Sequence, residues 1–274
     1  MEFRLLTVLA LLCFSLMRSD ASQSAEEYWQ SLWPNTPVPK PLWDLVLPYI
    51  KTHLPIEVEE EKQYWTIFFE HDLHPQKIMK LGLPKHFDNS QPLELRGRLK
   101  TSQPFGAWLR ARATERYNLH EVCGKHAAKG EDKHCASSLE SMVDFAISKL
   151  GKNIKVISSS FAQNQDQYIV EEVNKIGEKA VMCHRLNFEK VVYYCHQVNA
   201  TTTYMVPLVA SDGTKVKALT ICHHDTSGMD PEVLHEVLKV KPGTVPVCHF
   251  VGNKAIAWVP NLVTNESNHP CVHV

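Results

Sequence analysis

Four Cys-His dipeptides fall within one stretch of the chain: Cys183-His184, Cys195-His196, Cys222-His223 and Cys248-His249. They are separated by 10, 25 and 24 residues, and Trp258 follows the last after 8 more. A zinc finger needs cysteines at C-x2-C spacing, as two such pairs or with histidines at H-x3-H, and neither pattern occurs. The dipeptides point instead to disulfides for the sulfurs and metal ligation for the imidazoles of His184, His196, His223 and His249. Imidazole suits copper, nickel, iron and zinc, and an all-nitrogen set with open positions favours Cu(II) by the usual affinity order. His224, beside the third dipeptide, and His235 are candidates to add ligands. Ligand imidazoles must be neutral, so affinity is expected to fall as pH drops through about 6 to 7.

Strands are the elements that would position these groups. Successive side chains on an extended strand point to opposite faces, so each dipeptide sends its Cys to one face and its His to the other, a sulfur layer and an imidazole layer back to back. Strand-like sequence surrounds every copy: Ala180-Val181-Met182, Val191 to Tyr194, Val216 to Ile221 and Val245 to Val247. Further strands are predicted at 154–159, 168–173, 202–210 and 255–259, and Ser211-Asp212-Gly213-Thr214 reads as a two-residue hairpin with Asp-Gly at its tip. A helix is expected after a Ser137/Glu140 capping box, with Leu139, Met142, Val143, Ala146, Ile147 and Leu150 on one face and Gly151 ending it. A second, shorter helix starts at Asp230-Pro231 and stops at Lys241-Pro242-Gly243. The predicted class is α+β, β-rich and largely antiparallel, with a few helices and disulfide staples.

Residues 1–21 carry the marks of a secretory signal: Arg4, the apolar run Leu5 to Leu16, and small residues at Ser19-Asp20-Ala21. No other run is apolar and long enough to span a membrane. In an oxidising lumen the seven remaining cysteines make three bridges and leave one thiol. Cys123 and Cys135, on either side of a charged, Gly-containing loop from Gly124 to His134, form one. Cys183, Cys195, Cys222 and Cys248 form two more, in an order that the spacing leaves open, and Cys271 is the expected free thiol. Sequons at Asn199 and Asn265 become meaningful in that compartment. A net charge of -1 with no basic block gives no sign of a nucleic-acid or anionic-membrane partner. Residues 22–66, rich in Pro and Trp, read as an extended arm because proline blocks helix and central strand, its aromatics packing on the domain or on a partner. The catalytic signatures G-x-S-x-G and H-E-x-x-H, the P-loop and the dinucleotide fingerprint are all missing.

The spacing CH-x10-CH-x25-CH-x24-CH-x8-W closely resembles the signature of the plant BURP domain. Met182 to Phe188 and Phe68 to Pro75 are similar to the unknown-seed-protein branch of that family, with Gln76 where relatives usually carry Gly. The resemblance places the domain at 67–274, with its Cys-His core at 183–258, and implies copper as cofactor. It implies a secretory or vacuolar seed protein, structural or accessory in role, located in the cell wall or a protein storage vacuole and meeting their components. Some relatives are copper-dependent peptide cyclases that join a Trp indole nitrogen to a glycine α-carbon within their own chain. Gln103-Pro104-Phe105-Gly106 looks like the start of such a core peptide, which makes cyclase activity on Gln103 to Trp108 the alternative function. Here, however, only Ala107 separates Gly106 from Trp108, where cyclase cores place the Trp four residues after the Gly.

Overall fold

In the computed structural model the described residues are 24–46, 67–81, 123–124, 126–161, 165, 167–187, 191–229, 231–253 and 255–261. Two antiparallel sheets form the domain. The first contains β1 (Ile67–Phe69), β2 (Ile78–Lys80), β5 (Gln167–Val170), β6 (Asn174–Gly177), β9 (Thr201–Ala210), β10 (Lys215–His223) and β11 (Val247–Phe250), ordered β1-β11-β10-β9-β5-β2 with β6 also on β9. The second is ordered β3-β8-β7-β12-β4, from β3 (Glu131–Ala136), β4 (Ile154–Ser158), β7 (Val181–Asn187), β8 (Val191–Val198) and β12 (Ala255–Pro260). The chain passes between the sheets repeatedly, so neither is a separate unit.

Period-two patterning gives the central strands two apolar faces. In the second sheet Val181, Cys183, Tyr193, Cys195, Ile256 and Trp258 face outward, into a core shared with α3 (Leu139–Leu150). Their neighbours Met182, Ala255, Ala257 and Val259 face inward and meet Leu219 and Ile221 of the first sheet. Val216, Ala218, Cys222, Cys248 and Phe250 occupy the outer face of the first sheet with Phe68, Tyr168 and Leu208. Sheet faces buried on both sides explain why these strands carry few charges. At one end of the inner layer α4 (Pro231–Leu238) packs Leu234 against Ile67, Met229 and Val247.

Several elements depart from the sequence-based expectation. The arm is not extended throughout: α1 (Ala25–Leu32) is capped by Ser24, which accepts from Glu27 N–H while the Glu27 carboxylate accepts from Ser24 N–H. Its prolines begin only at Pro34, after the helix, and there a 3-10 turn (Lys40–Leu42) leads into α2 (Trp43–Val46). Trp29 of α1 is buried against Trp33 and Trp258, with its indole N–H on the Thr36 carbonyl, so this part of the arm belongs to the outer core of the second sheet. The N-cap of α3 is Ser138 rather than Ser137, accepting from Ser141 N–H, and Gly151 at φ +81° ends the helix as expected. Ala210 and Thr214 still pair, which makes the β9–β10 loop three residues, Ser211 to Gly213, with Gly213 at φ +85°. Asp230 lies outside the described residues. The segment read as a charged connection contains a strand, β3, whose polar face is matched by partners on β8. Gln76 sits at φ +69°, a left-handed position that glycine would fill without strain, and its N–H donates to Val170.

Candidate metal centre

Register brings the dipeptides together in pairs. On β7 and β8 Cys183 lies directly opposite Cys195, and on β10 and β11 Cys222 lies opposite Cys248. Each opposed pair is a disulfide, with Cα atoms 3.9 and 4.0 Å apart, and Cys123 joins Cys135 as the sequence suggested. Because each His follows its Cys, sulfur in one face of an aligned strand pair forces the two imidazoles into the other. The sulfurs lie in the two outer cores and the imidazoles in the layer between the sheets.

Each strand pair therefore carries a two-histidine clamp. His184 Nε2 and His196 Nε2 are 3.2 Å apart, and His223 Nε2 and His249 Nε2 are 3.4 Å apart. His184, His223 and His249 are buried at 4 to 5% exposure, whereas His196 reaches solvent at its edge. The outer nitrogens of His196, His249 and His223 each meet an acceptor. His196 Nδ1–H donates to Glu131 Oε1 (3.0 Å), and His249 Nδ1–H to the Phe250 carbonyl (3.1 Å). Thr201 gives its only hydroxyl proton to the Val198 carbonyl (2.9 Å), so at the 3.3 Å contact with His223 Nδ1 the imidazole donates. A neutral ring that donates from Nδ1 has a bare lone pair on Nε2. In the His223–His249 clamp two such lone pairs face each other, an arrangement that a cation between them would satisfy.

Electrostatics keeps the second clamp neutral. Burial, then the charges of His249, His196 and His224, depress His223 well below the usual imidazole value. Burial also brings His249 down to about 4, the Phe250 hydrogen bond opposing it and His196 adding to it. His196, on the other sheet, acts on both, which places the two clamps within electrostatic reach across the layer. Glu131 behaves in the opposite way: its burial favours the neutral acid, but hydrogen bonds and charge from His196, with the Ala128 N–H and Tyr194 O–H, outweigh it and hold the carboxyl below its ordinary value. Tyr194 is raised by burial and by that same carboxylate.

The donor set fits a metal as clamps, not as a closed cage. Two nitrogens bound about 2.0–2.1 Å from one ion at the tetrahedral angle lie roughly 3.3–3.4 Å apart, close to both observed separations. Among the described residues no group of three or more His, Cys, Asp or Glu is placed to hold an ion. His224 does not join: one position beyond His223, it takes the other face, contacting Thr202 Oγ1 at 2.9 Å and Glu70 at 3.6 Å. His235 is on the exposed side of α4. Asn199 is exposed in the β8–β9 turn, while residues 1–23, Gln103 to Trp108, Asn265 and Cys271 lie outside the described residues. Glu131 and Tyr194 are site residues that the sequence reading missed. Tyr194 is detectable in principle, two positions before His196 and so on its face, but Glu131 pairs with groups 63 and 65 residues away and leaves no local signal.

A two-sheet, disulfide-stapled domain whose paired strands carry sulfur on one face and imidazole on the other is the class that fold and site define. The BURP domain profile matches residues 66–260, and the chain belongs to that family. It is 57% identical over 265 residues to the embryonic abundant protein VF30.1 and to the unknown seed protein USP, both of Vicia faba, covering 95% of this chain and 97% of each relative. BURP domain-containing protein 3 of Oryza sativa subsp. japonica is 33% identical over 242 residues, covering 80% of this chain and 56% of that protein.

Proposed function

We propose that this chain is a secreted seed protein of the BURP family whose four motif histidines bind copper as two clamps, in a structural or accessory role. The observation that carries the reading is the pair of Nε2–Nε2 contacts at 3.2 and 3.4 Å, each built by a disulfide on the reverse face of the same strands. Seed accumulation is supported by the relatives' names, embryonic abundant and unknown seed proteins. Three disulfides and the lack of a helix long and apolar enough to cross a membrane, among the described residues, accord with a secretory route to the cell wall or storage vacuole.

Bound copper would supply one-electron redox chemistry and Lewis acidity between the sheets. The chain's own part is to hold the ligand nitrogens bare, fix ring orientation through Glu131, Thr201 and Phe250, and exclude water with the surrounding apolar layer. Cyclisation of Gln103 to Trp108 remains the enzymatic alternative, disfavoured by the single-residue spacer. Titration of purified, metal-free protein with Cu(II) tests the reading. Wild type should bind two equivalents, and the double variant His223→Ala/His249→Ala, folded by circular dichroism, should lose one. Unchanged copper content in that variant refutes the assignment.

A further inference from the structure

The two clamps have the same ligands but different surroundings. Behind His184–His196 stands a buried carboxylate, Glu131, whose side chain is 1% exposed. Its Oε1 accepts from Tyr194 O–H (2.8 Å) and His196 Nδ1–H (3.0 Å), and its Oε2 from Ala128 N–H (2.9 Å). A carboxyl group that accepts from three donors is arranged as the anion. At His223–His249 the hydrogen-bond partners of the outer nitrogens are a threonine hydroxyl and a backbone carbonyl, both neutral.

A dication on two neutral imidazoles brings two positive charges into the inter-sheet layer. At the first clamp the Glu131 carboxylate, hydrogen-bonded to a ligand ring, offsets one of them directly, whereas at the second the rings are anchored on neutral acceptors that offset neither. The cost of burying charge grows with the square of that charge, so the difference is large in a water-poor layer. An anionic acceptor also raises the basicity of the imidazole it anchors more than a neutral one does. We propose that Glu131 is a positioning and charge-compensating residue that makes His184–His196 the tighter divalent-ion site and leaves His223–His249 the weaker one. β3 exists in part to deliver it: Glu131 is the first residue of that strand, opposite Val198 and on the inner face beside His196. This inference rests on the copper reading above.

The test is titration of metal-free protein with Cu(II), followed by electron paramagnetic resonance and a competing chelator. Wild type should show two unequal equivalents, the tighter one lost in His184→Ala/His196→Ala. Glu131→Gln, nearly isosteric, should weaken that equivalent 10- to 100-fold, the usual effect of removing an outer-sphere carboxylate, and leave the other unchanged. Tyr194→Phe, which removes a hydrogen bond from Glu131 but keeps its charge, should change it less than about 3-fold, well short of that loss. An unaltered tight equivalent in Glu131→Gln, or equal losses in Glu131→Gln and Tyr194→Phe, overturns the proposal. Two equal equivalents in wild type, each abolished by its own double variant, overturn it while the copper reading stands; no Cu(II) bound by wild type removes both. Should Glu131→Gln fail to fold, nitrogen NMR of metal-free wild type decides: the neutral ring of His196 must carry its proton on Nδ1, facing Glu131, and the reverse tautomer refutes the role of Glu131.

Discussion

Acid should unfold the metal-free protein through the second clamp before its carboxylates matter. His249 is held at about 4 in the folded chain by burial, against about 6.5 in an unfolded one. Between those values the unfolded state takes up a proton that the folded state refuses, so stability falls as pH falls. The contribution is complete above about 6.5, is lost progressively below it, and levels off under about 4. Worked through the linkage relation, His249 alone removes roughly 2 kcal/mol between pH 7 and pH 5 and roughly 3 kcal/mol by pH 4. His223, also depressed by burial, adds a loss of the same sign. Glu131, held below the usual carboxylate value, begins to contribute only at lower pH, so the window from 7 to 5 reports the imidazoles. Against a domain stability of about 5–15 kcal/mol this is a large change. The assay is guanidinium unfolding of chelator-treated protein at pH 7, 6 and 5 and fixed ionic strength, with a constant m-value. Replacing His249 by Gln should remove about 2 kcal/mol of the difference. A midpoint that does not move between pH 7 and 5 would show that neither imidazole is buried as neutral base, and the reasoning would fail. Copper binding at this clamp should likewise persist to lower pH than the 6 to 7 expected for exposed histidines, because its nitrogens are already unprotonated.

Paired replacement of Cys183 and Cys195 by Ala should cost about 3 kcal/mol, and of Cys222 and Cys248 slightly more, in line with separations of 12 and 26 residues; thermal melts that match wild type would contradict the staples. Trp29→Ala should lower stability by about 3–5 kcal/mol, because Trp29 fills the outer core beside Trp258, and an unchanged denaturation midpoint would mean that the arm docks without contributing. In protein loaded with copper in air, the tryptic peptide Thr101 to Arg110 should keep its full mass, since a ring from Gly106 to Trp108 through Ala107 must bend planar amides. Dioxygen-dependent loss of two hydrogens from that peptide would establish the cyclase reading instead.

The separation of sulfur from imidazole was legible in the sequence, because period-two alternation is a local property: wherever a Cys-His dipeptide lies on a strand, the two side chains must part. The α3 helix and its glycine stop were legible for the same reason, apolar spacing and a capping signal acting over a few residues. The polar run of β3 and the Ser24 cap were misread because neighbouring charges and prolines dominate those windows, and only pairing with β8 and packing on Trp258 override them. Which cysteine joins which was undetermined until register set Cys183 against Cys195 and Cys222 against Cys248, since the seven-residue and nine-residue strands involved could slide by two and keep their patterning. The four histidines were named by type and repetition, but their division into two clamps, one backed by an anion and one by neutral groups, exists only in three dimensions. Glu131 reaches His196 across 65 residues of chain, and no property of either residue alone encodes that contact.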